Sequence, residues 1–412
     1  MNILVIGSGG REHAIIKSFK KSPVVTNIFA LPGNDGMAQD AKLISESTHD
    51  FNKIISFCKT QKIDLVFIGP EEPLVQGLAD ELRHNKILCV GPSKAAAQLE
   101  GSKIFAKNFM IRAGVPTAKS FVVTTVKEAL NHAKKFTAPY ILKADGLAAG
   151  KGVFICKNLD ELSAAASGLF VNKKLGPAGS IALLEQNLNG HELSFLILTN
   201  GENFEALPLA KDHKRLLDND KGPNTGGMGT VAPMQISDNL YKKIIEEIIK
   251  PSVLQIKKEN LIYRGILFVG IMVVNDQPYA LEYNTRFGDP ETQVILPLIE
   301  NDTAELFFNL ANGNLNTIKL NQLSCACLVN AAEGYPENSV QGTPLEYSSE
   351  VEENILFAGV KKANNTLVTA GGRVLNIVAT ADTITAALAQ VYELNKKVSF
   401  KRRQFRTDIG KN

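Results

Sequence analysis

Short apolar runs and amphipathic stretches alternate along the first hundred residues. Ile3–Ile6, Asn27–Ala30, Asp64–Ile68 and Ile87–Val90 are apolar, each followed by glycine or proline. Between them, Glu12–Lys20 and Phe51–Thr60 carry apolar residues at helical spacing. This alternation predicts βαβ units and a parallel sheet. From about residue 120 the pattern changes to hairpins, with strands at 139–143 and 152–156, a helix near 159–170 and a strand running into Leu183-Leu184-Glu185. Asn200-Gly201 predicts a two-residue hairpin turn between strands at 192–198 and 204–210. A helix is expected over 239–259, kinked or broken at Pro251, because proline lacks the N–H and crowds the preceding turn. Strands at 265–274 and 278–284 should meet at Asn275-Asp276-Gln277, and from about 324 a small β-rich region with one late helix at 384–397 closes the chain.

The apolar runs end in Gly7-Ser8-Gly9-Gly10, Pro32-Gly33-Asn34, Gly69-Pro70-Glu71-Glu72-Pro73 and Gly91-Pro92-Ser93. Ligands of open α/β sheets bind at the carboxyl ends of strands, so these loops are expected to line a site. With 412 residues the chain should divide into two to four domains. Its net charge of +3, from 45 basic and 42 acidic residues, is too balanced to imply nucleic acid or an anionic membrane as partner. The longest apolar run, Ile266–Val274, is too short to span a bilayer, and no basic segment precedes the first strand. Five scattered cysteines, Cys58, Cys89, Cys156, Cys325 and Cys327, suit a reducing compartment and packing roles, so a cytoplasmic protein is expected.

Four stretches carry chemistry. IGSGGREHA, residues 6–14, resembles a dinucleotide fingerprint, but Glu12 holds the third glycine position and no acid ends the second strand, which argues against NAD. A glycine turn at a helix N-terminus still offers N–H groups to a phosphate monoester, the alternative being a plain strand–helix turn; His13 is placed at the site through this loop. LKADGLAAGKGVFI, residues 142–155, is not a P-loop, since three residues separate Gly146 from Gly150 and Gly152 replaces the magnesium-binding hydroxyl. Strand-like flanks make it a hairpin tip. In YALEYNTRFGDPETQ, residues 279–293, Glu282, Asn284 and Arg286 alternate at a strand end and face one way. A carboxylate and an amide oxygen suit magnesium, and the arginine suits a phosphoryl or acyl-phosphate group; an amphipathic strand with a solvated face is the alternative. KDHKRLLDNDKGPNTGGMG, residues 211–229, reads as a long loop in which Asp212, His213, Lys214 and Arg215 can meet an anionic substrate and Asn224–Gly229 can close over it, with a solvated loop as the alternative, above all at Asp218, Asp220 and Lys221. More weakly, LLEQNLNGHELSF, residues 183–195, places Glu185 and Glu192 around a hinge whose backbone can meet an adenine edge. No nucleophilic triad is present.

Together these stretches resemble the ATP-grasp ligases. More closely, GGREHA, PGN, GPEEPLV, LEGSK, KADGLAAGKGV, DHKR, GPNTGGMG, NTRFGDPETQ, AAEGYP and TAGGRVL, in this order from Gly7 to Gly410, resemble the phosphoribosylamine–glycine ligase family (glycinamide ribonucleotide synthetases). The resemblance implies an α/β and α+β multidomain fold. It comprises a Rossmann-like N-terminal domain over 1–101, an ATP-grasp domain over 102–323 with 120–192 as its flexible lobe, and a β-rich C-terminal domain over 324–412. The length fits the stand-alone form of the enzyme.

The resemblance further implies a reaction in which glycine is activated by ATP as glycyl phosphate and captured by 5-phosphoribosylamine, with Mg2+ (or Mn2+). Lys103, Lys143, Gly146, Gly150, Lys151 and Gly152 would contact the ATP phosphates, Glu185 and the backbone at Leu188 the adenine, and Glu192 the ribose. Glu282 and Asn284 would hold the metal, and Arg286, Lys143 and Asp289 would serve the reacting groups. Gly9, Gly10 and Arg11 would receive the sugar phosphate beside Asn34 and Glu71, while Asp212, Lys214, Thr225 and Gly226 would line the substrate cleft. A monomer is expected, with transient contact to the preceding pathway enzyme.

Departures from the family pattern are Gln186 where a second glutamate is usual, His191 in place of an acid, Thr407 in place of a basic residue, and no metal carboxylate within Ile266–Val274. The rival readings are another ATP-grasp carboxylate–amine ligase with a different acceptor and an ATP-binding protein without catalysis.

Overall fold

The computed structural model describes residues 1–147 and 152–411. The apolar runs near the N-terminus form a five-stranded parallel sheet ordered Lys42–Leu43, Asn27–Pro32, Asn2–Gly7, Leu65–Ile68, Cys89–Val90. Its central strand is apolar throughout because both faces are covered. Ile3 and Val5 pack with Phe19, Phe67 and Phe307, while Leu4 and Ile6 pack with Ile54, Leu74 and Leu82. Helices Gly10–Lys20 and Phe51–Thr60 follow the expected spacing.

Two antiparallel sheets make the middle of the chain. The first is ordered Phe204–Ala206, His191–Thr199, Gly265–Val274, Gln277–Asn284. The run Ile266–Val274 alternates between two cores, with Ile266 and Phe268 in one and Leu267, Val269, Ile271 and Val273 in the other. The second sheet is ordered Ser120–Val123, Ala182–Gln186, Tyr140–Ala144, Val153–Cys156. Helices Val126–Ala133 and Leu159–Phe170 bury its Val123, Leu142, Ala144 and Leu184 side. A further sheet, near the C-terminus, is ordered Lys211–Asp212, Gly229–Ala232, Ser324–Ala331, Arg373–Ala381, Ile355–Phe357, with helix Ile384–Asn395 packed on it. It therefore recruits two strands that flank the 211–229 segment.

Several local expectations change. Asn200-Gly201 opens a four-residue loop, because Thr199 pairs with Phe204 and the Asn200 side chain accepts from the N–H groups of Glu202 (3.1 Å) and Asn203 (2.9 Å). Its second strand is only Phe204–Ala206. The helix through Pro251 neither breaks nor ends there. A wide π-turn over Ile244–Ile249 joins Asp238–Lys243 to Lys250–Lys258, which accommodates a residue lacking its N–H. The turn between the 265–274 and 277–284 strands has two residues, Asn275 and Asp276, both at positive φ of 50° and 58°.

The 211–229 segment is not an irregular loop. Arg215–Leu217 and Lys221–Asn224 form a hairpin, turning through Asn219 and Asp220 at positive φ. Its anchor comes from the far end of the chain. The Arg406 side chain is fully buried and donates to both oxygens of Asp408 (2.7 and 2.8 Å), to Asp220 (2.8 Å) and to the Arg215 carbonyl (3.2 Å). Arg406→Ala leaves Asp408, 11 % exposed, without its counter-charge. The expected loss is about 3 kcal/mol in urea denaturation, with faster proteolysis at the 215–224 hairpin. An unchanged midpoint and cleavage rate would show that the hairpin stands without this anchor.

Candidate active site

The centre of the site is built by a bulge. Gly270 pairs with Glu282 and Ile271 with Ala280, so Leu281 is an extra residue in its strand. Simple alternation would put Glu282 on the buried face of Ala280. The extra residue reverses the phase, so Ala280 and Tyr283 both enter the core and Glu282 and Asn284 turn to the open face. There Ser194, Gly270 and Glu282 form one row across the sheet and Leu196, Phe268 and Asn284 the next. Gly270 thus leaves a floor without a side chain beside the carboxylate.

Among the described residues, no hydrogen bond or ion pair reaches the side chains of Glu282 or Asn284. Burial alone would push the Glu282 carboxyl up. Lys143, Lys214, Lys103 and Arg286 outweigh it and hold the group below the usual carboxylate range. An ionised carboxylate and a free amide oxygen are a sound beginning for a hard divalent cation, whose other positions need phosphate or water oxygens. The chain offers no richer alternative, since among the described residues no three His, Cys, Asp or Glu side chains gather as a metal site.

Arg286 lies past the strand end, between Glu71 (3.2 Å) and Glu100 (2.8 Å), and donates to the Phe287 carbonyl at 3.1 Å. On the other side, the buried Glu185 carboxylate sits between Lys107 (2.7 Å) and Lys143 (2.6 Å). Burial would raise the Glu185 pKa, but the two ammonium groups hold it low. Lys143 also reaches the bulged Leu281 carbonyl at 3.5 Å, joining the two sheets. Glu185 is expected to meet adenine, and the two lysines fix its carboxylate beside the neighbouring backbone. That backbone is open. The N–H and C=O of Leu188, on the linker after Ala182–Gln186, have no partner among the described residues. The sheet face carrying Glu185 and Lys143 also presents Val153 and Ile155, 39 % and 48 % exposed, as an apolar wall.

Lys103 donates to the Gly146 carbonyl at 3.3 Å, and Gly152 closes the hairpin base by accepting from the Ala144 N–H at 2.8 Å. Gly150 and Lys151 lie outside the described residues. Asp145 ties this hairpin to helix Lys103–Ala113, accepting from Ser102 Oγ (2.9 Å) and the Ile104 N–H (3.1 Å).

The loops expected to meet substrate converge from three directions. Lys214 pairs with Glu192 at 2.8 Å, linking the expected ribose carboxylate to the expected anion-binding segment. Asp212 has one buried oxygen without a partner, packed against Gly227, and its ladder partner Thr230 has an unpartnered buried hydroxyl. Burial, then the nearby Glu291, push the Asp212 carboxyl well up. Thr225 spends its hydroxyl on the Lys214 carbonyl (2.8 Å), while Gly226 donates to Tyr335 Oη (2.9 Å) and accepts from Arg373 (2.6 Å). Arg373 also meets the Asp289 carbonyl (2.7 Å) and carboxylate (3.4 Å).

At the N-terminal glycine turn the structure differs from an open phosphate cradle. The Gly9 N–H donates to Glu12 (2.7 Å) and the Arg11 N–H to Asp289 (3.4 Å), so the chain's own carboxylates occupy the helix N-terminus. The glycines are needed for Glu12 itself, since a Cβ at Gly69 would stand 2.1 Å from its carboxylate and one at Gly7 2.6 Å. Gly10 packs against Asn376 and Gln293, and Asn34 Nδ2 donates to the Ser8 carbonyl at 2.8 Å. His13 is not at the site. It is buried, accepts from the Phe357 N–H (2.8 Å), bonds Asp40 (2.9 Å) and fastens its helix to strand Ile355–Phe357.

Sequence reasoning passed over Glu100, Lys107, Glu291 and Arg373. Glu100, Glu291 and Arg373 lie within motifs already noted, whereas Lys107 lies in no motif, on helix Lys103–Ala113; what distinguishes all four is a partner far away in sequence.

Matches to known proteins follow this architecture along the whole chain. Models of phosphoribosylglycinamide synthetase match its N domain at residues 1–100, its ATP-grasp (A) domain at 101–292 and its C domain at 325–412. The chain belongs to the phosphoribosylglycinamide synthetase family. The phosphoribosylamine–glycine ligase of Caldanaerobacter subterraneus is 39 % identical over 414 residues, covering 100 % of this chain and 99 % of that protein. The ligase of the same name from Pasteurella multocida is 41 % identical over 418 residues, covering 100 % and 97 %. The crystal structure of the Thermotoga maritima phosphoribosylamine–glycine ligase superposes with a TM-score of 0.88 at 37 % identity, covering 99 % of this chain and 100 % of that one. The expected mixed α/β architecture, with an ATP-grasp centre and a β-rich C-terminal region, is therefore the family's fold.

A pH dependence comes with the substrate segment. His213 is 3 % exposed; its Nδ1–H donates to the Gly229 carbonyl (3.1 Å) and its Nε2 accepts from the Gly410 N–H (3.1 Å). Burial, with help from Arg406, pushes its pKa down to about 4. The unfolded chain takes up a proton near pH 6.5 that the folded ring refuses. This contribution is therefore complete above that pH and lost as pH falls toward 4. Between pH 7 and 5 the wild type should lose about 2 kcal/mol more than His213→Asn in urea unfolding. Equal losses would mean that this ring is not the sensor.

Proposed function

We propose that the chain joins glycine to 5-phosphoribosylamine at the expense of ATP, giving glycinamide ribonucleotide, ADP and phosphate through a glycyl phosphate, in purine biosynthesis. The observation that carries this reading is the ionised, unpartnered Glu282 beside Asn284, facing Lys143 and followed by Arg286.

In this reading adenine lies against Val153 and Ile155 and bonds the open backbone at Leu188, and Glu192 takes the ribose hydroxyls. Lys143, Lys103, Gly146, Gly150, Lys151 and Gly152 surround the phosphates. Glu282 and Asn284 hold magnesium or manganese, which when bound neutralises the phosphate oxygens during transfer. The glycine carboxylate is already a nucleophile, so the chain needs no activated serine or cysteine. Its own residues position the reactants and balance charge. Arg286 meets the transferring phosphoryl group. Asp212, Lys214, Thr225, Gly226 and Asp289 line the acceptor side, with Gly9, Gly10, Arg11, Asn34 and Glu71 on the sugar-phosphate side. A phosphate on the Arg11 N–H has to displace the Asp289 carboxylate.

We further place residues 1–101 as the N-terminal domain, 102–323 as the ATP-grasp domain with 120–192 as its moving lobe, and 324–412 as the C-terminal domain. The protein acts as a cytoplasmic monomer that receives its amine from the preceding enzyme. Among the described residues, no helix is long and apolar enough to cross a membrane.

The test is ADP release from magnesium-ATP with glycine and freshly generated phosphoribosylamine, supplied together or singly. Release in step with glycinamide ribonucleotide, only with both present, supports the reading; turnover with another acid or amine would reassign the substrates. Glu282→Ala should reduce this turnover by more than about 100-fold with an unchanged melting temperature, since its carboxylate supports no fold contact. An unaltered rate would remove Glu282 from the metal site.

A further inference from the structure

Glu100 occupies a place that folding alone does not favour. It is the penultimate residue of helix Lys94–Gly101, where the helix end already carries partial negative charge. Its side chain is only 7 % exposed, and the guanidinium it meets is shared with a second carboxylate, Glu71. Burial pushes its pKa up even against Arg286, so enclosing this carboxyl works against the fold rather than for it.

What the position achieves is geometric. One oxygen accepts from the Thr285 N–H (2.7 Å) and lies 3.3 Å from the Thr285 hydroxyl; the other meets the Arg286 guanidinium at 2.8 Å. One carboxylate thus holds both the backbone just beyond the Glu282–Asn284 strand and the side chain of the next residue. Glu71 differs. It is 31 % exposed, its contact to Arg286 is longer at 3.2 Å, and it stands on the loop edge of the N-terminal sheet. Glu71 can exchange its partner for a ligand. Glu100, enclosed and doubly bonded, cannot do so without unfastening the strand end.

We propose that Glu100 is a positioning residue that fixes the orientation of Arg286 toward the transferring phosphoryl group. The proposal rests on the role given to Arg286 above. Glu100 itself touches no substrate, so its effect travels through one guanidinium.

The test is a double-mutant cycle on the full chain, read as kcat and KM for ATP and glycine, with melting temperatures measured alongside. Glu100→Gln should lower kcat about 10- to 100-fold and leave both KM values within about twofold. Glu100→Asp, which keeps the charge but shortens its reach, should also lower kcat; it carries the test if the glutamine variant does not fold. Arg286→Ala should be strongly impaired, and Glu100→Gln added to it should cost nothing more. Normal kcat in a folded Glu100 variant, or losses that multiply in the double variant, would overturn the proposal while leaving Arg286 in place. A fully active Arg286→Ala would overturn it together with the role of Arg286.

Discussion

An ionised group removed from water costs several kcal/mol unless a partner meets it, and most of the site's charges obey that constraint while Glu282 does not. Glu185 is held by Lys107 and Lys143, Arg286 by Glu71 and Glu100, Arg373 by Asp289, and Arg406 by Asp408. Glu282 is surrounded by four cationic side chains, yet none of them bonds it. The field keeps the carboxylate ionised while its lone pairs stay free. A direct salt bridge would have satisfied the fold and closed the site.

The same logic explains why the site needs the whole chain. The parallel sheet contributes Glu71, the strand pair at 265–284 contributes the bulge with Glu282 and Asn284, and the second antiparallel sheet brings Lys143 and the apolar wall. The C-terminal region holds the substrate loop by its backbone, through Tyr335 and Arg373 on Gly226 and through Arg406 on the hairpin before it. These are short, directed contacts. They place the loop without giving it an apolar core of its own.

Much of this was legible from the chain. Apolar periodicity located the longer strands of the first three sheets and the helices near 10–20, 51–60, 159–170, 238–258 and 384–395, because each is long enough to show its period and has a buried side; it passed over Lys94–Gly101, Lys103–Ala113, Val126–Ala133 and Thr303–Ala311. The Glu282, Asn284, Arg286 triplet was readable because polar residues interrupt an otherwise apolar strand. What escaped the reading depends on distant partners. Nothing local distinguishes Lys107 from a surface lysine on its helix, and the Arg215–Asn224 hairpin depends on an arginine nearly 200 residues later. The glycine turn depends on distant partners too: Gly7, Gly9 and Gly10 suggest a bound anion, and here the turn's N–H groups meet the chain's own Glu12 and Asp289.

The bulge at Leu281 shows how narrowly the chemistry depends on local register. Without the extra residue, Glu282 and Asn284 would share the buried face of Ala280, and their strand would carry two unpaired polar groups into a core of Phe109, Val269 and Ile271. With it, Tyr283 takes that place and bonds Ser252 at 2.6 Å, while the ladder to Gly265–Val274 resumes on the far side. The freed Leu281 carbonyl then becomes the contact for Lys143. One residue therefore sets the core packing, turns Glu282 and Asn284 to the open face and ties the second antiparallel sheet to them. Alternation among Glu282, Asn284 and Arg286 groups the right residues on one face, but counting on from Ala280 would put them in the core, because a bulge adds a residue that the count does not know about.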